Sequence, residues 1–153
     1  MAMYDIIGEL ADAQDFTLTT TETIVSENNI NLGVDDVNWG NGELWLNIKV
    51  NTAFTTAQGT PSTTITLRAS SDSTVNASDT AVITIPAQNL TTATSLGSDI
   101  FRGRLPIDVD QEQYIGVVAV NTGGGYTLGK LDIWVDHGSQ SDFPAQEALS
   151  NIT

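Results

Sequence analysis

The side chains that could do chemistry are few in this sequence, and their spacing supports little of it. The single histidine, His137, stands beside Asp136. Such a pair can act as a base only when the carboxylate orients the imidazole, and sequence neighbours on a strand point to opposite faces. No serine elbow of the GxSxG kind and no HExxH zinc motif occurs. Gly123-Gly124-Gly125 is not followed by a lysine and leads into another apolar run, so it offers no helix N-terminus to a phosphate. Asp108, Asp110 and Glu112 are spaced by two, which would bring their carboxylates to one side of an extended segment, where hard cations need converging oxygens. Gln113 stands where an EF-hand loop requires glycine, so these are weak metal candidates and a solvated acidic turn is the simpler reading. Asp35-Asp36 is weaker still. The absence of cysteine excludes disulfides, zinc-thiolate sites and thiol nucleophiles. The chain reads as a non-enzyme with no catalytic residue and no cofactor.

Composition explains what must position whatever remains. The chain has 153 residues, one domain's worth, and 40% of them are hydrophobic while only 16% are charged. The other polar residues are mostly neutral, with 21 Thr and 11 Ser, which suits strands and turns. Five basic residues against 19 acidic ones give a net charge of -14. That balance excludes binding to nucleic acid through its phosphates and to an anionic membrane surface. No apolar run is long enough to span a bilayer as a helix. Met1 to Leu10 carries Asp5 and Glu9 and no basic residue, so no signal peptide is expected there.

Hydrophobic alternation gives the elements. Asp5 to Ala13 reads as a helical turn or an ordered arm, and Phe16 and Leu18 as a short edge strand. Ile24, Ile30 and Leu32 form a weak apolar pattern around a polar turn. The clearest strand is Leu44 to Val50, where Leu44, Leu46, Ile48 and Val50 face one way and Trp45, Asn47 and Lys49 the other. Gln58-Gly59-Thr60-Pro61 is expected to break the chain before a strand over Thr64 to Ala69. Ser70 to Asp79 reads as a surface loop, Ala81 to Ile85 as a strand stopped by Pro86, and Leu90 to Leu96 as strand or loop. Ile100 to Ile107 is a further strand. Tyr114 to Val120 and Tyr126 to Val135 read as a hairpin with its tip at Asn121 to Gly125. The run YIGVVAV implies burial on both faces, by a second sheet and by either a partner or a terminal segment. Seven to nine short strands without a long helix predict an all-β, jelly-roll-like β-sandwich over residues 1–135, with a short N-terminal segment and a C-terminal arm over residues 136–153.

The order of these features resembles a phage head family. Asp12-Ala13-Gln14 before a Thr-rich stretch, Asn29 to Gly33, Leu44 to Phe54, Thr63 to Asp72, and Tyr114 to Val135 with Thr127, Gly129 and Lys130 are similar to capsid cement proteins of the Bordetella-phage type, also called decoration or auxiliary head proteins. The resemblance covers about residues 10–135. It implies a virion protein, made in the bacterial cytoplasm, that self-associates as a homodimer or homotrimer. It would bind the outer surface of an expanded icosahedral head built from a major capsid protein of HK97-like fold, and clamp neighbouring capsomers. That family offers no catalytic residues to carry over. The segment 136–153 departs from its pattern by extending past the last strand.

Contact residues are therefore the candidates. Tyr114, Val118, Tyr126 and Trp134 lie on the strands expected to pack subunits, and Arg102, Arg104 and Lys130 supply scarce positive charge. Phe143 is the main apolar residue of the arm. The alternative function is a carbohydrate- or receptor-binding β-sandwich of a phage tail or extracellular assembly, which would need exposed aromatics around Trp39.

Overall fold

The computed structural model describes residues 8–17, 20–33, 44–92, 97–106 and 112–137. These form seven strands: β1 (Glu9–Asp15), β2 (Glu22–Val25), β3 (Ile30–Asn31), β4 (Leu44–Ser70), β5 (Thr80–Gln88), β6 (Asp99–Arg104) and β7 (Tyr114–His137), with a 3-10 turn at Leu90–Thr92. Two of them are very long. β4 spans 27 residues and β7 spans 24, and they run antiparallel from Leu44 opposite His137 to Ser70 opposite Tyr114.

This ribbon is the axis of the fold. Near one end, β1 pairs with β7 and β6 with β4; near the other, β2 and β3 pair with β7 and β5 with β4. One layer is thus β1, the C-terminal half of β7, the N-terminal half of β4, and β6. The other is β2 with β3, the N-terminal half of β7, the C-terminal half of β4, and β5. The ribbon curls so that both layers contribute to one core, with Leu46, Ile48, Leu131 and Ile133 from the first and Ile65, Leu67, Val117 and Ala119 from the second. Eight strand segments in two such layers are the arrangement of a jelly roll, so the all-β, sandwich-like expectation holds.

Two expectations about the ribbon do not hold. Gln58 to Pro61 does not break the chain, and Asn121 to Gly125 is not a hairpin tip: both segments lie within continuous strands and face each other. Here the ribbon passes from one layer to the other, and the register shifts repeatedly between Val50 and Ser62. The turn-forming residues serve a corner, where strands must bend and approach closely. A Cβ on Gly124 would lie 2.5 Å from the Gln58 carbonyl oxygen and 2.8 Å from the Pro61 nitrogen. Glycine is needed because two backbones nearly touch.

A chain of buried polar groups holds that corner. The Leu90 N–H donates to the Tyr126 hydroxyl at 3.1 Å, which lies 3.0 Å from Thr63 Oγ1. Thr63 donates to Asn121 Oδ1, and Asn121 Nδ2 donates to the Gly124 carbonyl. With the Thr63 proton so committed, the Tyr126 hydroxyl is the donor toward Thr63. Phe54 packs edge-on against Tyr126, with ring centroids 5.1 Å apart.

At the N-terminus a strand, Glu9–Asp15, replaces the expected helical turn or arm, because Leu10 and Ala11 are buried against the core. Ala13 adopts a positive φ of 49°, within a register shift of β1 against β7, and its N–H donates to Asp132 Oδ1 at 2.7 Å. The next side chain, Gln14, crosses to the other layer: its Nε2 donates to the Val25 carbonyl, and its Oε1 accepts from the Glu27 N–H. The Asn28 N–H donates to the Leu10 carbonyl beside it. This edge of the sandwich is stitched shut.

Tyr114 to Val120 is largely buried on both faces, but an internal loop, not a partner or a terminal segment, lies against the second face at Gly116. Val117 and Ala119 face the core, and on the opposite side buried Val75 from the 71–79 loop stands where a Cβ on Gly116 would meet it at 3.1 Å. β7 ends at His137, two residues past the expected boundary of the arm.

Candidate functional site

In the first layer, alternation sends Leu46, Ile48 and Val50 inward and Trp45, Asn47 and Lys49 outward. The register across four strands then fixes what accompanies them. Glu9, Trp134, Asn47 and Arg102 form one row; Asp136, Trp45 and Arg104 a second; Asp132, Lys49 and Asp99 a third. Lys130, exposed beside Asp15 at the end of β1, lies on the same face two residues from Asp132. Four of the chain's five basic residues therefore share one outer sheet face. The fifth, Arg68, is on the other layer and donates to the Asp79 carbonyl.

The face is ordered by its own contacts. The Lys49 ammonium lies 5.8 Å from the Trp134 ring centroid and 3.7 Å from Asp99 Oδ1. Lys49 and Asp99 are both partly solvated, so this bridge adds little stability and mainly places the charge. Asn51 Nδ2 lies 3.1 Å from both Asp132 oxygens, and Asp132 Oδ1 also accepts the Ala13 N–H. Asp15 accepts from the Thr17 hydroxyl and from its N–H, and these two bonds hold its carboxyl below the usual aspartate range. Lys130 reinforces that direction slightly. The positive groups are densest along β6, where Arg102 is half-buried and Arg104 exposed.

The sequence candidates separate cleanly. Arg102, Arg104, Lys130 and Trp134 come together on this face. Tyr126 does not: at 2% exposure and bonded within the corner, it has no surface to offer a partner. Val118 is 1% exposed on the second layer, and Tyr114 is half-buried at the start of β7. β7 is paired by β4 on one side and, outside residues 122–129, by β1, β2 and β3 on the other, so it does not offer a second copy the open hairpin edge that the sequence suggested. Phe143, Asp108 and Asp110 lie outside the described residues, as does Trp39. Glu112 is half-buried just before β7, and among the described residues no group of three potential ligands surrounds a metal position. Trp134 is 3% exposed, so it presents no open ring for sugar stacking. Lys49 and Gln14 were not among the candidates. The period-2 pattern already set Lys49 beside Trp45; what it could not give was the pairing with β6.

These features define a jelly-roll domain with one outer sheet face that carries four of the five basic side chains interleaved with Glu9, Asp99, Asp132 and Asp136. The chain belongs to the Bbp16 family, a Bordetella phage protein family, whose model matches residues 10–135. It is also similar to chains in solved structures of infectious bursal disease virus. For the Gx strain the identity is 20%, the TM-score 0.41, and the match covers 89% of this chain and 32% of that one. For the Gt strain the values are 18%, 0.34, 90% and 32%. This chain thus spans 32% of the length of either of those chains. No curated protein matches it.

Proposed function

We propose that this chain is a structural protein of the phage virion that binds the outside of the expanded icosahedral head and cements neighbouring capsomers, acting as a homo-oligomer and without catalysis. The observation that carries the reading is the concentration of Lys49, Arg102, Arg104 and Lys130 on one sheet face of a chain with net charge -14. With Glu9, Asp99, Asp132 and Asp136 interleaved, that face is close to neutral where the rest of the chain is strongly acidic, so an acidic protein meets an acidic shell with least repulsion there. The partner of that face is a major capsid protein of HK97-like fold, contacted at an acidic patch. Membership of a phage protein family supports the same reading. Binding only the expanded shell stabilises it by mass action, and many copies per head turn modest contacts into avidity.

The test is co-sedimentation with DNA-filled heads of the cognate phage stripped of this component, alongside unexpanded procapsids. The proposal expects saturable binding at a fixed number of copies per expanded head and bare procapsids. Absence of binding to either particle would overturn it.

A further inference from the structure

We propose that the β6 border of the outer sheet face is a strand-addition site for an extended acidic segment that carries carboxylates two residues apart. The inference rests on the capsid reading only for the source of that segment, the major capsid protein. β6 (Asp99–Arg104) lies at the border of its layer, and among the described residues it pairs only with β4. The Leu105 N–H donates to the Leu44 carbonyl, and along an antiparallel pair the residues that bond across the ladder alternate with those that do not. Gly103 and Phe101 therefore bond to Leu46 and Ile48, whereas the N–H and C=O of Arg102 are turned away from β4. The same register places the side chains of Arg102 and Arg104 on the outer face, beside Asn47 and Trp45.

Charge and unfilled bonding capacity select the occupant. Most carboxylates of this face stand at its far side, Glu9 on β1 and Asp132 and Asp136 on β7. On β6 itself the one carboxylate, Asp99, bridges to Lys49, and among the described residues no carboxylate bridges to Arg102. The indole N–H of Trp45 is shielded from water and has no acceptor among the described residues, although the residue as a whole is only half-buried. A donor left so is unfavourable, and an acceptor brought by a partner removes that cost. Charges on an edge strand keep like edges apart, but an acidic strand turns the same charges into attraction. Side chains two apart on an extended segment share a face at a spacing of about 7 Å, so carboxylates so placed match Arg102 and Arg104. The register shift between Ile48 and Lys49 confines the addition to residues 101–104. One copy therefore binds weakly, with a dissociation constant on the order of millimolar, and the many copies on a head supply avidity.

The site is tested on the purified full chain with no head present, so it and the capsid reading fail separately. The probes are blocked pentapeptides: Thr-Glu-Thr-Glu-Thr, its isomer Thr-Glu-Glu-Thr-Thr, whose carboxylates fall on opposite faces of a strand, and Thr-Gln-Thr-Gln-Thr. Titrated to about 5 mM, the range such an affinity requires, the first should saturably move the NMR signals of the Trp45 indole N–H and the Arg102 amide. The isomer should bind at least about threefold more weakly, and the glutamine peptide should leave those signals in place. Arg102→Gln should weaken the first peptide by about threefold, the scale of a partly solvated ion pair. If that variant is destabilised, the peptide comparison on the wild-type chain decides. No shift at these signals, equal binding of the two glutamate peptides, or an equal response to the glutamine peptide would overturn the inference.

Discussion

Gly124→Ala probes the corner where the ribbon changes layers. The added methyl would sit 2.5 Å from the Gln58 carbonyl oxygen, 2.8 Å from the Pro61 nitrogen and 2.9 Å from the Thr60 nitrogen. Ordinary contact begins at 3.4 Å, so the worst approach is 0.9 Å short (3.4 minus 2.5). All three neighbours are backbone of β4, which is itself paired, so no side-chain rotation can relieve the overlap. Overpacking typically costs 1–3 kcal/mol, and a clash with backbone on three counts belongs at the upper end, about 3 kcal/mol. Gly97→Ala is the control: its new Cβ meets nothing within 4 Å, though its φ of +81° is strained for alanine. That strain costs about 1 kcal/mol. Urea unfolding should therefore separate the two variants by about 2 kcal/mol, and thermal melts by about 4–8 °C for a chain of this size. If Gly124→Ala is no more destabilising than Gly97→Ala, the corner is not the tight crossing described here and the reasoning fails.

Three other outcomes follow from the same structure. Tyr126→Phe removes the acceptor of the buried Leu90 N–H and should cost about 1–3 kcal/mol, with faster exchange of the Leu90 amide as its specific sign. Gln14→Leu keeps much of the volume but strands the Val25 carbonyl and the Glu27 N–H; about 2 kcal/mol of stability should go, with deprotection at Glu27. Asp15 should titrate below the ordinary aspartate range by carboxyl NMR, and Thr17→Val should raise its midpoint. Because its folded pKa is depressed, its contribution is present above the pKa of the unfolded chain and is lost as pH falls through the folded one; an unmoved midpoint in the variant would remove Thr17 as the cause.

Local pattern carried some elements and not others. The alternation of Leu44 to Val50 was readable because one face of the strand is core and the other is not. The double-sided burial of Tyr114 to Val120 was readable because the run leaves no polar side. The corner was misread for a physical reason: a tight turn and a close crossing of two strands both demand glycine, and Gly123 to Gly125 satisfy either. Glu9–Asp15 hid as a strand because a register shift at Ala13 interrupts its period. Asp12-Ala13-Gln14, which carries part of the resemblance to cement proteins, proves to be a stitch: Ala13 turns the bulge and Gln14 ties two layers together. Of the outer sheet face that carries Lys49, Arg102, Arg104 and Lys130, the sequence showed the scarce cations but not their company. That Arg102 and Arg104 fall opposite Asn47 and Trp45 depends on long-range register, which no local pattern encodes.

The most direct test of the account compares wild-type protein with the Arg102→Glu, Arg104→Glu double variant in binding to stripped, expanded heads. Both side chains lie at least partly on the surface at the β6 border, so the variant should fold, as a matching melting temperature would verify. The account predicts saturable binding of the wild type and at least a tenfold weaker association of the variant, with the difference shrinking at high salt. Equal binding of the two proteins would contradict the assignment of this face to the capsid.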